Sequence, residues 1–544
     1  MSAKNILIIG GVAAGATAAA KIRRLDEHAT ITLLDRGPYV SFANCGLPYF
    51  ISRDIEKRSS LLLQTPEGFQ SRYRVDVHLE TEVLSIDRSR KVVLARGPQG
   101  EIEYAYDKLL MAQGGTPFIP ALPGVEQSHV FKLWTIPDMD RIHEYLEIHS
   151  PKHAVIAGGG FIGLEMAEAL HARGLQVTLV ELADQVMAQM DPEFGAMIRG
   201  ELETKGVQVI TGVGVATIEK NSLALTDGRI ISADMVLLSI GVRPELGLAK
   251  QAGLNIGASG GLVVDEFLCT SDKDIYAAGD MVEITHRILN KKVRIPLAGP
   301  ANKQGRIVAE NMLGGNTAYH GALGTSVVKV FDQTAAVTGL SEKTARDAGL
   351  NVGTAFISKY HHASYYPGAT PLTLKLVYQM QDGQLLGAQA FGKNGADKRI
   401  DVLATALHGK MTLADLAELD LAYAPPYSSA HDPVNMAAFV GLNHLSGFSP
   451  LKTPQETIEA LQSGAGMLLD VRTLGEQSRE PVDGVLAIPA DEIRDRLTEI
   501  PRDIQLYLLS KDGALGHIVL RVLVANGFSN VYNIAGGYSA IKWF

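Results

Sequence analysis

The sequence predicts an α/β fold made of two Rossmann-like units, an α+β segment and a small closing α/β segment. Two short apolar strands each run into a glycine turn and a helix, and the strand that follows each helix ends in an acid. Residues 325–440 change to alternating strand-like runs before a helix. Beyond Leu442, a stretch rich in Gly, Ser and Pro precedes a fresh helix–strand pattern. A chain of 544 residues exceeds one hydrophobic core several-fold and suggests roughly three or four domains.

Composition excludes several classes. With 46% hydrophobic and 20% charged residues and 55 glycines, the chain reads as globular rather than disordered. A net charge of −9 leaves no basic surplus to neutralise a nucleic-acid backbone. No apolar run is long enough to span a bilayer, and Met1–Lys4 leads straight into a buried strand instead of a signal peptide, so no membrane association is expected. Two cysteines, Cys45 and Cys269, are too few for an extracellular disulfide framework. They point to a reducing, cytoplasmic compartment.

In chain order, Ile6–Ile9 reads as a strand buried on both faces, and Gly10-Gly11-Val12-Ala13-Ala14-Gly15 turns into an alanine-rich helix. The strand Thr30–Leu34 then ends in Asp35. Glycines allow the tight turn, the helix N-terminus receives a pyrophosphate, and the acid bonds a ribose hydroxyl. Val12 departs from the pattern by standing at its middle glycine. The second copy is complete: His153–Ala157 leads into Gly158-Gly159-Gly160-Phe161-Ile162-Gly163, and Gln176–Val180 ends in Glu181. A carboxylate there favours NADH over NADPH, because it bonds a 2′-hydroxyl and repels a 2′-phosphate.

Between the two units lies Ser41-Phe42-Ala43-Asn44-Cys45-Gly46-Leu47-Pro48-Tyr49, whose cysteine has no second cysteine at a pairing distance. If Cys45 is redox-active, its partner sulfur comes with a substrate. A third glycine–acid pair, Gly279-Asp280, follows a strand-like run. His361 and His362 have no third ligand at metal spacing, so no metal site is expected.

Over its first 445 or so residues the chain resembles the flavin disulfide reductase family. Its single cysteine, its Tyr365 and Tyr423 motifs and the run Gly395–Asp401 are similar to the coenzyme A disulfide reductase branch fused to a rhodanese domain. The resemblance implies an FAD-binding domain over 1–115 and 241–322, an NADH-binding domain over 116–240, a dimerisation domain over 323–445 and a rhodanese-like domain over 455–544. It places FAD against Gly10, Val12, Ala13, Gly15, Asp35, Arg36, Gly114, Asp280 and Ala298. NADH is placed against Gly158, Gly160, Phe161, Gly163, Glu181 and Gly241, with Phe161 as the ring that moves aside for nicotinamide.

It further implies a homodimer whose active site is shared between subunits. There Cys45 is the redox sulfur, and Tyr365 and Tyr423 supply protons to departing thiolates. Coenzyme A, as substrate or bound mixed disulfide, is expected to meet Arg23, Ser41, Phe42, Asn44, Arg72, Lys398 and Arg399. The loop-to-helix junction at Cys45 is expected to lower the thiol's pKa. The alternative reading is an NADH peroxidase or oxidase that cycles Cys45 through a sulfenic acid. In the rhodanese-like segment Ser510 stands where that family has its cysteine and Leu515 where its loop usually has an arginine, so a binding module without sulfurtransferase activity is expected.

Overall fold

The computed structural model describes residues 4–543. Met1–Ala3 and Phe544, and with them most of the leader reading, lie outside the described residues. The chain divides into two compact units, one of residues 1–184 and 206–324 and the other of 185–205 and 325–544.

The first unit contains two five-stranded parallel sheets. One runs in the order Ile275–Ala277, Lys108–Met111, Asn5–Ile9, Thr30–Leu34, Val75–His78. The other runs Gln208–Ile210, Gln176–Val180, His153–Ala157, Met235–Leu238, Val130–Phe131. Ile6, Ile8, Val155 and Ile156 are wholly buried, which is why these strands read as continuous apolar runs rather than alternating ones. In each sheet the strand leading to the glycine turn has neighbours on both sides. The turn therefore opens at the reversal of strand order, where α/β sheets bind their ligands.

The second unit holds a five-stranded antiparallel sheet, ordered Ser326–Val330, Gln333–Gly339, Leu385–Gly392, Pro371–Gln379, Val352–Tyr360. Helices Ala396–His408 and Pro433–Leu445 accompany it. Its last part is a parallel sheet, Leu451–Lys452, Val531–Ile534, Leu506–Leu509, Met467–Asp470, Leu486–Ala487, with the helix Ala514–Ala525.

One boundary differs from the sequence reading. Residues 185–205, read as part of a continuous 116–240 domain, group with the antiparallel sheet. The reason is a buried ion cluster: Lys375 Nζ lies 3.0 Å from Asp191, 3.1 Å from Glu193 and 2.8 Å from Glu342. Burial alone would neutralise the amine, but the charges of Glu193, Asp191 and Glu342 outweigh it and hold Lys375 protonated. Asp191 also accepts from Gln389 Nε2 at 2.6 Å, while its backbone N–H donates to Gln389 Oε1 at 2.7 Å. Acids carried by residues 185–205 that share one buried lysine cannot separate from it cheaply.

Candidate active site

The first glycine turn is shaped by contact. Gly10 adopts φ 98°, and a Cβ there would strike the Ala112 carbonyl; a Cβ on Gly15 would strike the Gly10 carbonyl. The helix Ala13–Leu25 begins at Val12 without any side-chain cap, so its first N–H groups are left to something else. Asp35 closes the turn, accepting from Gly11 N–H at 2.7 Å and Gly37 N–H at 2.8 Å. Burial pushes its carboxyl up, and these two backbone bonds oppose the shift.

Val12, Asp35, Arg36 and Phe42 line a cavity of 470 Å³ together with Gln113, Trp134 and Glu245. Within it the buried Oε1 of Gln113 accepts no hydrogen bond from the described residues. A glycine cradle, an uncapped helix start and an orphaned buried acceptor together fit a bound flavin dinucleotide. Gly114 and Gly241 both have positive φ, 66° and 112°, and each immediately precedes a paired strand, Gly115–Pro117 or Val242–Pro244. Asp280 is pushed up to about 6 by burial, and Gly279 N–H donates to the buried Gln304 at 2.7 Å. Ala298 opens an uncapped helix, Ala298–Met312, and is exposed.

The second turn repeats this geometry. Glu181 accepts from Gly159 N–H at 2.6 Å and Ala183 N–H at 2.8 Å, as Asp35 does in the first turn. A Cβ on Gly163 would strike the Gly158 carbonyl, whereas one on Gly160 would meet only open space. The middle position thus admits a side chain sterically, which explains why Val12 is compatible with the first turn. Phe161 is the first residue of the helix Phe161–Ala172 and is half-buried.

Cys45 sits in the short 3-10 turn Asn44–Gly46 ahead of the helix Leu47–Ile51. The segment is tied to the first turn, since Ser41 N–H donates to the Gly11 carbonyl at 2.8 Å. Ser41 itself takes a left-handed φ of 49°. The Asn44 side-chain oxygen accepts the Cys45 N–H at 3.1 Å and lies 3.7 Å from its sulfur. The thiol's pKa does not fall as expected from its place at a helix start. Burial raises it, and the charges of Glu165 and Asp280 raise it further. By surface area the residue is exposed, so one side is open, but protein atoms still desolvate the sulfur on the other.

Glu165 was not visible in the sequence reading as a site residue. It lies four positions after Phe161, on the same face of one helix, and that spacing was the available signal. Burial pushes its carboxyl up to about 7, and the Tyr49 hydroxyl donates to it at 3.3 Å.

Two of the expected coenzyme A contacts are corrected. The guanidinium of Arg23 donates to five backbone carbonyls, those of Tyr73, Asp26, Glu27, Ala29 and Arg74, at 2.7 to 3.1 Å. It is buried and has no donor left for a phosphate. Its neighbour Arg24 is exposed. Arg399 is likewise buried, paired with Asp432 at 2.8 Å. Arg72 and Lys398 are exposed, and Lys398 borders a 360 Å³ cavity with Tyr423 and Tyr427. The hydroxyls of Tyr365 and Tyr423 are 3.1 Å apart, and that hydrogen bond raises the pKa of Tyr365.

In the closing segment the Ser510 hydroxyl is wholly buried and accepts the Gly513 N–H at 2.9 Å. Ser510→Cys is therefore expected to show no thiosulfate:cyanide sulfur transfer, because the new sulfur would be sealed beneath its own loop. Thiocyanate release above the wild-type background would contradict this.

Residues 4–305 match the family model described as pyridine nucleotide-disulphide oxidoreductase, and residues 325–433 match that family's dimerisation domain. The coenzyme A disulfide reductase of Staphylococcus haemolyticus is 34% identical over 445 residues, covering 80% of this chain and 99% of its own. The crystal structure of reduced Bacillus anthracis CoADR-RHD superposes with a TM-score of 0.97 at 41% identity, covering 100% of this chain and 98% of that one. An NAD-dependent persulfide reductase from A. fulgidus gives a TM-score of 0.94 at 38% identity, covering 99% of this chain and 100% of that one. Family, cradle and acidic strand ends agree: the chain belongs to the pyridine nucleotide-disulphide oxidoreductases and is an oxidoreductase that uses FAD and NAD(P)H.

Proposed function

We propose that the protein uses NADH to reduce coenzyme A-linked disulfides, persulfides or polysulfides through Cys45. The observation that carries this reading is the exposed lone thiol on a segment bonded to the first glycine turn. Gly10, Gly15, Asp35 and Asp280 would hold FAD, which, when bound, supplies two-electron transfer from nicotinamide to sulfur.

The chain's own part is thiol chemistry. Cys45 must lose its proton, and we assign Glu165, whose carboxyl is pushed up to about 7 and whose charge bears on the thiol, as the group that receives it. The thiolate then attacks the substrate disulfide, forming a Cys45–sulfur bond and releasing the other half as a thiolate. Tyr365 and Tyr423, from the partner subunit of a homodimer, donate a proton or hydrogen bond to that leaving sulfur. Ser41, Phe42, Asn44, Arg72 and Lys398 contact coenzyme A, with Arg24 replacing Arg23 as the basic residue on the first helix. Residues 455–544 form a rhodanese-like domain that binds without transferring sulfur. A reducing, cytoplasmic setting is part of this reading, on the count of two cysteines in 544 residues.

The test is stopped-flow reoxidation of the NADH-reduced enzyme. Coenzyme A disulfide or persulfide should reoxidise it rapidly and hydrogen peroxide slowly; fast reoxidation by peroxide alone would replace this reading with a peroxidase. Coenzyme choice follows from Glu181. Glu181→Ala is expected to cut the NADH:NADPH ratio of kcat/KM by about 10- to 100-fold, the worth of a charge-assisted hydrogen bond. An unchanged ratio would remove Glu181 from the coenzyme site.

A further inference from the structure

We infer that Arg399 is a positioning residue for the tyrosine pair: its buried ion pair with Asp432 clamps together the two loops that carry Tyr365 and Tyr423. The inference rests on the proposed role of those tyrosines in the reaction. Tyr365 and Tyr423 are 74% and 48% exposed within one chain, so no packing inside their own subunit fixes the rings, yet their hydroxyls meet at 3.1 Å. Within the subunit, what holds that distance acts on the loops.

Arg399 Nη2 donates to the His361 carbonyl at 2.8 Å, four residues before Tyr365. The same nitrogen donates to Ser428 Oγ at 3.3 Å, five residues after Tyr423, and to Asp432 Oδ2 at 2.8 Å. Arg399 Nε reaches Asp432 Oδ1 at 3.3 Å, and Nη1 reaches the Gly395 carbonyl at 3.5 Å. Ser428 Oγ donates onward to Asp432 at 2.7 Å, and the Ala363 N–H donates to the Ser428 carbonyl at 3.1 Å, joining the loops directly. Burial would raise the Asp432 pKa, but Arg399's hydrogen bond and charge outweigh it and keep the carboxylate ionised. At 1% and 2% side-chain exposure the pair is out of reach of substrate, so its influence passes through the backbone it holds.

Full-length holoenzyme labelled with 3-fluorotyrosine tests this by 19F NMR, with the two resonances assigned from Tyr365→Phe and Tyr423→Phe. In the wild type the resonance of each phenol should shift when the other tyrosine is changed to Phe, because each sits in the other's hydrogen bond. In Arg399→Lys, which keeps the charge but loses the planar fork, each resonance should no longer respond to the other's hydroxyl. Disulfide turnover should fall about 100-fold in kcat with little change in KM, as misplacing a reacting group does. Flavin reduction by NADH should be unchanged, which also verifies folding. Ser428→Ala, which removes one strut and leaves the ion pair, should weaken the coupling with a loss of a few-fold, and it serves if Arg399→Lys does not fold. Phenols that remain coupled in both variants would overturn the clamp. Normal turnover in the double Tyr365→Phe, Tyr423→Phe variant would instead overturn the reading of the tyrosines, and the coupling measurement on Arg399→Lys would still report on the clamp.

Discussion

Replacing Cys45 by serine is expected to lower disulfide or persulfide turnover by at least about 1,000-fold while leaving flavin reduction by NADH near the wild-type rate. An alkoxide is far harder to form than a thiolate, and oxygen cannot take part in thiol–disulfide exchange, so the step that links protein to substrate is lost. The glycine cradles, Asp35 and Glu181 lie on other segments and do not depend on the sulfur. The Asn44–Gly46 turn is held by backbone bonds, among them Gly46 N–H to the Ala43 carbonyl at 2.9 Å, which serine leaves intact. Stopped-flow bleaching of the flavin and steady-state NADH consumption with coenzyme A disulfide measure the two halves. Retained turnover would show that electrons leave by another route.

Gly15→Ala is expected to yield protein purified without its flavin. The added methyl would collide with the Gly10 carbonyl, and the helix Ala13–Leu25 would have to move off the sheet. Over-packing of this kind costs about 1–3 kcal/mol, and here the strain falls on the turn that receives the pyrophosphate. The ratio of flavin to protein absorbance reports it, with circular dichroism to verify the remaining fold. A full complement of flavin in Gly15→Ala would show that the helix can shift without disturbing the turn. Ala substitution at Gly160, where a Cβ meets open space, gives the contrast: the same chemical change without a collision.

What the sequence made legible was local. Both glycine turns and their acids, Asp35 and Glu181, belong to one strand–helix–strand unit each, and the structure forms them from bonds within that unit. Arg23 and Arg399 were misjudged because partners outside their own local unit complete their burial. Arg23 binds carbonyls about fifty residues away at Tyr73 and Arg74, and Arg399 binds Asp432. Arg23 shares a helix face with Ala16, Ala19 and Ile22, all buried, and that periodicity was the available warning. The thiol's environment was hidden for the same reason, since Glu165 and Asp280 reach Cys45 from segments more than a hundred residues further on.

The exchange of residues 185–205 between units has a practical corollary for recombination. A truncation after Gly324 would part the helix Pro192–Thr204 from the sheet that covers Phe194, Met197, Ile198 and Leu202. Such a fragment would carry a bare apolar face and two acids without their lysine. The coenzyme-binding module therefore cannot be moved as one contiguous cassette. A chimaera with a relative must exchange this helix together with the antiparallel sheet, or keep both.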